Sequence, residues 1–176
     1  MGALPIEYYT YQDYKQWEGK WELIDGIPYA MSPAPVKKHQ LIGYNIARQL
    51  GNSLNCQNCE VLGEVDYKLN NDTILKPDVV LTCDDFGVET LIKAPEIVFE
   101  IISPSTARRD EIYKFNLYEK EGVKYYILVY PDDLRAKVYK NENGEFKKVD
   151  DFLKGKFKFD FCGVEVDFDE VFKRFR

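Results

Sequence analysis

The sequence predicts an α/β fold, and two short apolar segments with a helix between them carry that prediction. Residues 97–102 (IVFEII) and 125–130 (YYILVY) are apolar runs typical of strands that are buried on both faces. Residues 108–121 have the composition of a helix, and Gly122 follows, which is a common helix terminator. Strand, helix and strand in this order predict a βαβ unit with parallel neighbouring strands.

The N-terminal half predicts a short helix, a hairpin, a long helix and a second strand pair. Asp25-Gly26 separates two apolar runs, as in a tight hairpin. Apolar residues recur at 42, 46, 50 and 54, which is the spacing of one helical face. Helices are expected at 11–18 and 36–54, and strands at 21–24, 27–31, 59–69 and 74–81.

The C-terminal third predicts a β extension of the central sheet. Asn143-Gly144 lies between two strand-like runs, 136–140 and 146–149, and predicts another hairpin. The tail from Phe157 is expected to hold one or two short strands and a last helical turn near 168–172.

Composition limits the class of protein. A chain of 176 residues fits one domain, 1–176, and its net charge of −6 argues against a tight, non-specific nucleic-acid binder. No apolar run reaches the ~18 residues of a membrane span, and the start has no basic region followed by an apolar stretch. Four cysteines, including Cys56-x-x-Cys59, are too few for a disulfide scaffold and lack the spacing of a zinc site. We therefore expect free thiols and a cytoplasmic location.

Two carboxylates stand out from this background. Glu100 lies inside an apolar strand, where a lone charge costs several kcal/mol unless a cation reaches it. Asp78 opens another apolar run directly after Pro77. Two acids on neighbouring strands suit a hard cation, because Mg²⁺ is commonly held by one or two carboxylates with water and substrate phosphate. The Ile101 carbonyl can supply a third oxygen. Mn²⁺ is expected to substitute for Mg²⁺.

The residues around these acids resemble one branch of the PD-(D/E)XK nuclease superfamily. The resemblance rests on residues 21–26 (WELIDG), His39, 76–80 (KPDVV), Ala94-Pro95 and 98–106 (VFEIISPST), followed by a helix with a lysine. They resemble the Uma-type family of bacterial restriction-endonuclease-like proteins over residues 7–140. The resemblance implies a mixed central sheet flanked by helices, DNA as substrate and a metal on Asp78, Glu100 and the Ile101 carbonyl.

One position departs from the superfamily pattern. A lysine is expected two residues after the second acid, and here that residue is Ile102. The resemblance implies that Lys114, on the following helix, takes over the role of stabilising phosphate and orienting water. It also implies that Glu22 is a third acid and that His39 carries a proton or contacts phosphate.

Simpler interpretations stay open for each residue. Glu100 can form a structural ion pair with Lys114 or Arg109, Glu22 can cap a hairpin, and His39 can be a satisfied structural histidine. Arg108, Arg109, Asp110 and Glu111 are most simply a solvated first helical turn. Phosphate contact is the alternative for the arginines, and fixing the helix cap or orienting Lys114 is the alternative for Asp110.

The sequence predicts a Mg²⁺-dependent endonuclease that cleaves DNA with metal-activated water. Two alternatives compete with it: a non-catalytic module that keeps the fold, and a metal hydrolase of a small phosphorylated substrate. A symmetric homodimer or higher homo-oligomer is expected, because one site per chain needs a second copy to cut both strands.

Overall fold

The fold was described from a computed structural model that covers residues 2, 4–31 and 35–176 of the chain. Twelve strands in these ranges are β1 Trp21–Ile24, β2 Ile27–Ala30, β3 Cys59–Leu62, β4 Tyr67–Lys68, β5 Ile74–Leu75, β6 Val79–Cys83, β7 Ile97–Ile101, β8 Tyr125–Tyr130, β9 Arg135–Glu142, β10 Glu145–Phe152, β11 Lys156–Lys158 and β12 Glu165–Asp167. The helices are α1 Tyr11–Tyr14, α2 Lys37–Ser53, α3 Phe115–Glu121 and α4 Phe168–Phe172, with a π-helical segment Arg109–Lys114 and a 3₁₀ turn Lys173–Phe175.

A mixed six-stranded sheet forms the centre, with strand order β10-β9-β8-β7-β6-β3. Strands β7 and β8 are parallel, and the other neighbours in this sheet are antiparallel. The chain between β7 and β8 holds the π-helical segment and α3. The predicted βαβ unit and the mixed central sheet are therefore confirmed.

The N-terminal hairpin belongs to a second sheet of four strands, with order β2-β1-β5-β4. The predicted continuous strands 59–69 and 74–81 are wrong, because each divides between the two sheets. Their predicted partnership is correct, since β3 pairs with β6 and β4 pairs with β5. Pro77 falls at the break between β5 and β6. It has no N–H to give to a ladder, which helps to end one strand before the next begins.

The turn of the N-terminal hairpin fixes the position of β1. Asp25 and Gly26 both have positive φ, 50° and 75°, as a two-residue turn between twisted strands requires. A Cβ at Gly26 would lie 2.2 Å from the Tyr8 ring, so only glycine fits there. This turn sets the pairing of β2 with β1, the strand that carries Glu22.

Alternate residues of β7 face two different hydrophobic cores. Ile97, Phe99 and Ile101 lie in the core that contains Ile42, Ile46 and Leu50 of α2. Val98 lies in the other core, with Tyr118 of α3. Side chains alternate across a strand, so Glu100 points to the same side as Val98 and faces the helical connection.

The cysteines correct a prediction made from the sequence. All four are described, and they form two disulfides, Cys56–Cys162 and Cys59–Cys83. The expectation of free thiols is therefore wrong. Cys59 and Cys83 lie directly opposite each other in the β3/β6 ladder, and Cys56 pairs over a separation of 106 residues with the C-terminal extension. The Cys-x-x-Cys spacing concealed this, because each member has a distant partner.

Candidate active site

Asp78 and Glu100 are brought together by the register of β6 and β7. Val79 lies opposite Phe99 at the end of this antiparallel ladder, which brings Asp78, the residue before β6, beside the last residues of β7. The Ile101 amide donates a 2.7 Å hydrogen bond to Asp78 Oδ2, which fixes the aspartate beside the end of β7.

Lys114 reaches Glu100 from the π-helical segment. Its Nζ lies 2.6 Å from Glu100 Oε1 and 2.8 Å from Glu22 Oε2, and its side chain is 1% exposed. Tyr118 lies four residues further along the helix and donates a 3.1 Å hydrogen bond to the same Glu100 oxygen. Residues four apart share a helical face, so one face of this helix presents both partners to Glu100.

Glu22 connects the two sheets. Its Oε2 accepts a 2.8 Å hydrogen bond from the Lys76 amide as well as the Lys114 contact, and its Oε1 lies 3.2 Å from Arg109 Nε. Each oxygen of this buried carboxylate therefore has a cationic neighbour. Glu22 does more than cap a hairpin, because it holds Lys114 and Arg109 together.

His39 lies in the first turn of α2, at the open end of β7. Its Nε2 is 3.1 Å from the Ile101 carbonyl oxygen and 3.6 Å from Asp78 Oδ2. Burial alone would lower the pKa of His39, but Asp78 and the Ile101 carbonyl outweigh burial, so the pKa is raised above its usual value. The imidazole is therefore biased towards its charged form beside Asp78.

Electrostatics in this cluster are dominated by crowded acids. Burial raises the pKa of Glu100 well above its usual value. The nearby acids Asp110, Asp78 and Glu22 raise it further, and the Lys114 ammonium lowers it only in part. Burial also raises the pKa of Asp110, to about 6. Lys114 has the reverse situation, because three carboxylates outweigh its burial and raise its pKa well above the usual value. The ammonium stays charged while the surrounding acids compete for protons and cations.

Asp110 is expected to make the fold less stable as pH rises. Its folded pKa of about 6 exceeds the unfolded value near 4, so the folded state holds a proton that the unfolded state has lost. Between pH 5 and pH 8 this group removes roughly 1 kcal/mol of stability. Asparagine does not titrate, so Asp110→Asn should not lose this stability. The free energy of unfolding of the variant minus that of wild type should therefore rise by roughly 1 kcal/mol from pH 5 to pH 8.

Urea denaturation at the two pH values measures the effect of Asp110→Asn. Glu111→Gln is the matched control, because Glu111 is the next acid on the same segment and is exposed. An Asp110→Asn curve that stays parallel to wild type across the interval contradicts the expected proton uptake.

These side chains border a cavity of about 420 Å³, which is in the size range of ligand sites. Asp78, Glu100, His39, Lys114 and Glu22 all line it. Within the described ranges, no three Asp, Glu, His or Cys side chains are arranged as a ready ligand set for a metal. The donors still fit a hard cation, because the contacts of Asp78 and Glu100 to described residues use one oxygen of each, Oδ2 and Oε1.

The five predicted catalytic residues all lie at this cavity, together with the Ile101 backbone. Three further residues join the site: Arg109 and Asp110, for which the sequence favoured a solvated turn over a role beside Glu100 or Lys114, and Tyr118, for which it favoured the core or a helix face. Asp110 is 3% exposed and lies 3.7 Å from Lys114 through its Oδ1. The spacing Asp110, Lys114, Tyr118 is four and four, and it was the available signal for one shared helical face.

The fold of this chain matches that of a solved structure over nearly its whole length. A crystal structure described as "a putative nuclease belonging to DUF820 from Anabaena variabilis" superposes with a TM-score of 0.75 and 18% identity. The match covers 96% of this chain and 98% of that one. At this identity the likeness shows the fold alone.

Sequence comparison then gives the family. The chain belongs to the Uma2 family, whose model is described as "Putative restriction endonuclease" and matches residues 10–157. An uncharacterised protein from Synechocystis sp. is 32% identical over 155 residues, which covers 82% of this chain and 80% of that protein.

Proposed function

We propose that this protein is a Mg²⁺-dependent endonuclease that hydrolyses DNA phosphodiester bonds. The observation that carries the proposal is the convergence of Asp78 and Glu100 at one end of β7: Asp78 accepts a hydrogen bond from the Ile101 amide, and the Lys114 ammonium lies 2.6 Å from Glu100. The substrate class follows from membership of the family and the metal chemistry from the acids.

The metal would be held by Asp78, Glu100 and the Ile101 carbonyl. When bound, Mg²⁺ polarises a phosphoryl oxygen and lowers the pKa of a coordinated water. The raised pKa of Glu100 fits this assignment, since a cation would compete with a proton for a buried, crowded carboxylate. Mn²⁺ would substitute because it prefers the same oxygen ligands.

Three other residues of the site would act on the reacting phosphate and its protons: Lys114, Glu22 and His39. Lys114 presents an ammonium whose raised pKa keeps it charged, so that it can stabilise negative charge on the phosphate oxygens. Glu22 positions this ammonium through its 2.8 Å contact. His39 lies close enough to Asp78 to accept or return a proton at the open end of the cavity.

The first experiment measures metal uptake and cleavage together. Mn²⁺ and Mg²⁺ are titrated by calorimetry, and supercoiled plasmid, single-stranded DNA and bis(p-nitrophenyl) phosphate are offered as substrates. We expect saturable uptake of either ion and cleavage that EDTA stops. Absence of metal uptake, or cleavage that is indifferent to EDTA, contradicts the proposal.

Two alternatives have an observation in their favour. A non-catalytic module is favoured by the enclosure of Lys114 among three carboxylates at 1% exposure. Metal uptake without cleavage of any of the three substrates would support it. A hydrolase of a small phosphorylated substrate is favoured by the cavity volume of about 420 Å³. Cleavage of the small diester alone would support that reading.

The wider setting of the protein also remains a proposal. We propose one domain over residues 1–176 and a homodimer, since two active sites are needed to cut both strands. No helix among the described residues is long and apolar enough to cross a membrane. A cytoplasmic location remains our prediction, but the two disulfides weaken it, because such bonds are rare in the cytosol outside hyperthermophiles.

A further inference from the structure

Arg109 is a buried cation that the proposed reaction does not use. Its side chain is 10% exposed and lines the same cavity as Glu100 and Lys114. Its guanidinium carbon lies over the Tyr29 ring, 5.4 Å from the centroid, a cation–π contact. Arg108, the adjacent residue, is exposed and does not line the cavity.

One N–H donor of this guanidinium, at Nε, is buried without a hydrogen-bond partner among the described residues. Glu22 Oε1 lies 3.2 Å away, but the contact is an ion pair without hydrogen-bond geometry. An arginine has five N–H donors in a rigid fork, and leaving such donors buried without acceptors is unfavourable. The site therefore has a donor set that an anion would complete.

Hydroxyl groups line the same cavity as this arginine. Ser103 Oγ is 3.2 Å from Ser105 Oγ and 3.0 Å from Thr106 Oγ1, and all three residues line the cavity. Hydroxyl hydrogens rotate to suit their acceptors, so these groups can turn from one another to an incoming oxygen. An arginine fork and hydroxyls that line one cavity offer it donors of the kind that bind phosphate.

We propose that Arg109, with Ser103 and Ser105, forms a second phosphate subsite, distinct from the position that Lys114 serves. Arg109 and Lys114 contact the two oxygens of one carboxylate, Glu22, so the two cations are neighbours. Neighbouring cations suit consecutive phosphates of one nucleic-acid strand. In this form the inference rests on the proposed function, and the subsite holds the phosphate next to the scissile bond.

The first test uses inorganic phosphate without any metal. Phosphate is titrated into wild-type protein, Arg109→Gln and Arg108→Gln, and binding is followed by calorimetry. We expect saturable binding by wild type, about ten-fold weaker binding by Arg109→Gln and no change for Arg108→Gln, which removes the same charge one residue away. Equal affinity of wild type and Arg109→Gln, or no saturable binding at all, overturns the subsite.

A second variant keeps the test valid if Arg109→Gln does not fold. Ser105 is exposed, so Ser105→Ala removes a hydroxyl without disturbing the core, and we expect it to weaken phosphate binding several-fold. If Ser105→Ala binds phosphate as tightly as wild type, the Ser105 hydroxyl is not part of the subsite.

The outcome for catalysis separates this inference from the proposed function. DNA in which one phosphate beside the cut is an uncharged methylphosphonate should be cleaved more slowly by wild type, and that loss should vanish in Arg109→Gln. A protein that cleaves DNA but shows the same methylphosphonate effect in both forms keeps the nuclease function and loses the subsite. A protein that binds phosphate through Arg109 but neither takes up metal nor cleaves keeps the subsite and loses the nuclease function.

Discussion

Glu100→Gln is expected to lower metal-dependent DNA cleavage by roughly a thousand-fold, because several kcal/mol of transition-state stabilisation depend on the ion that Glu100 would hold. Glutamine keeps the shape of the side chain, and its amide oxygen can accept from both Lys114 and Tyr118. Burial already disfavours the charge on Glu100, so we expect the stability of this variant to stay within about 2 kcal/mol of wild type.

The measurement combines initial cleavage rates with a urea denaturation curve. Glu60→Gln is the matched control, since Glu60 is an exposed acid on β3 of the same sheet. Alanine is a poorer choice at position 100, because it would remove a partner from a buried ammonium and risk unfolding. Cleavage at the wild-type rate by folded Glu100→Gln would remove Glu100 from the catalytic site.

Lys114→Met is expected to lower the free energy of unfolding by about 3 to 5 kcal/mol at neutral pH, because it leaves buried carboxylates without their cation. Lys114 is 1% exposed and contacts Glu22, Glu100 and Asp110 at 2.8, 2.6 and 3.7 Å. Methionine fills similar space, so the loss is electrostatic rather than a cavity. The same variant should lose DNA cleavage, since the phosphate would have no ammonium to stabilise it.

The loss in Lys114→Met should shrink as the pH falls. Lys114 opposes the rise in the pKa of Glu100 and Asp110, so without the ammonium the folded-state pKa of both carboxyls rises further above its unfolded value. The folded state then binds more protons than the unfolded state, and stability falls as pH rises. Urea midpoints at pH 5 and pH 8 measure this slope. Lys120→Met, an exposed lysine of the same helix, is the control, and an unchanged midpoint in Lys114→Met would show that the ammonium is not required by the buried acids.

Local patterns predicted most of the elements because each pattern records a property of a few consecutive residues. The strand 125–130 has the predicted bounds, and the hairpin at Asp25-Gly26 forms where the turn residues allow positive φ. The long helix is correct to within one residue at each end. The strands 59–69 and 74–81 were predicted as continuous because apolar residues indicate burial. Both sheets bury such residues, so the pattern does not show where the chain passes from one sheet to the other.

The sequence predicted only some residues of the candidate active site, for a different physical reason. Glu100 is conspicuous because a charge inside an apolar strand needs a partner. The sequence alone left three candidates for that partner: a metal ion, Lys114 and Arg109. Arg109 and Asp110 looked like surface residues because charged residues at the start of a helix usually are solvated. A π-helical segment over 109–114 is set by tertiary contacts, such as the 2.7 Å hydrogen bond from the Tyr126 hydroxyl to the Asp110 carbonyl. Such segments often occur at functional sites.

The sequence by itself determined the α/β class, the βαβ unit and the family, along with the two acids that precede or occupy buried strands. These follow from alternation, turn chemistry and short motifs, which act over a few residues. Only the tertiary structure decided that Glu22 from another sheet joins Lys114 to Arg109, that the four cysteines pair, and that Asp78 contacts the end of the strand that holds Glu100. These depend on strand register and sheet packing, which join residues far apart in the chain and leave no periodic trace in it.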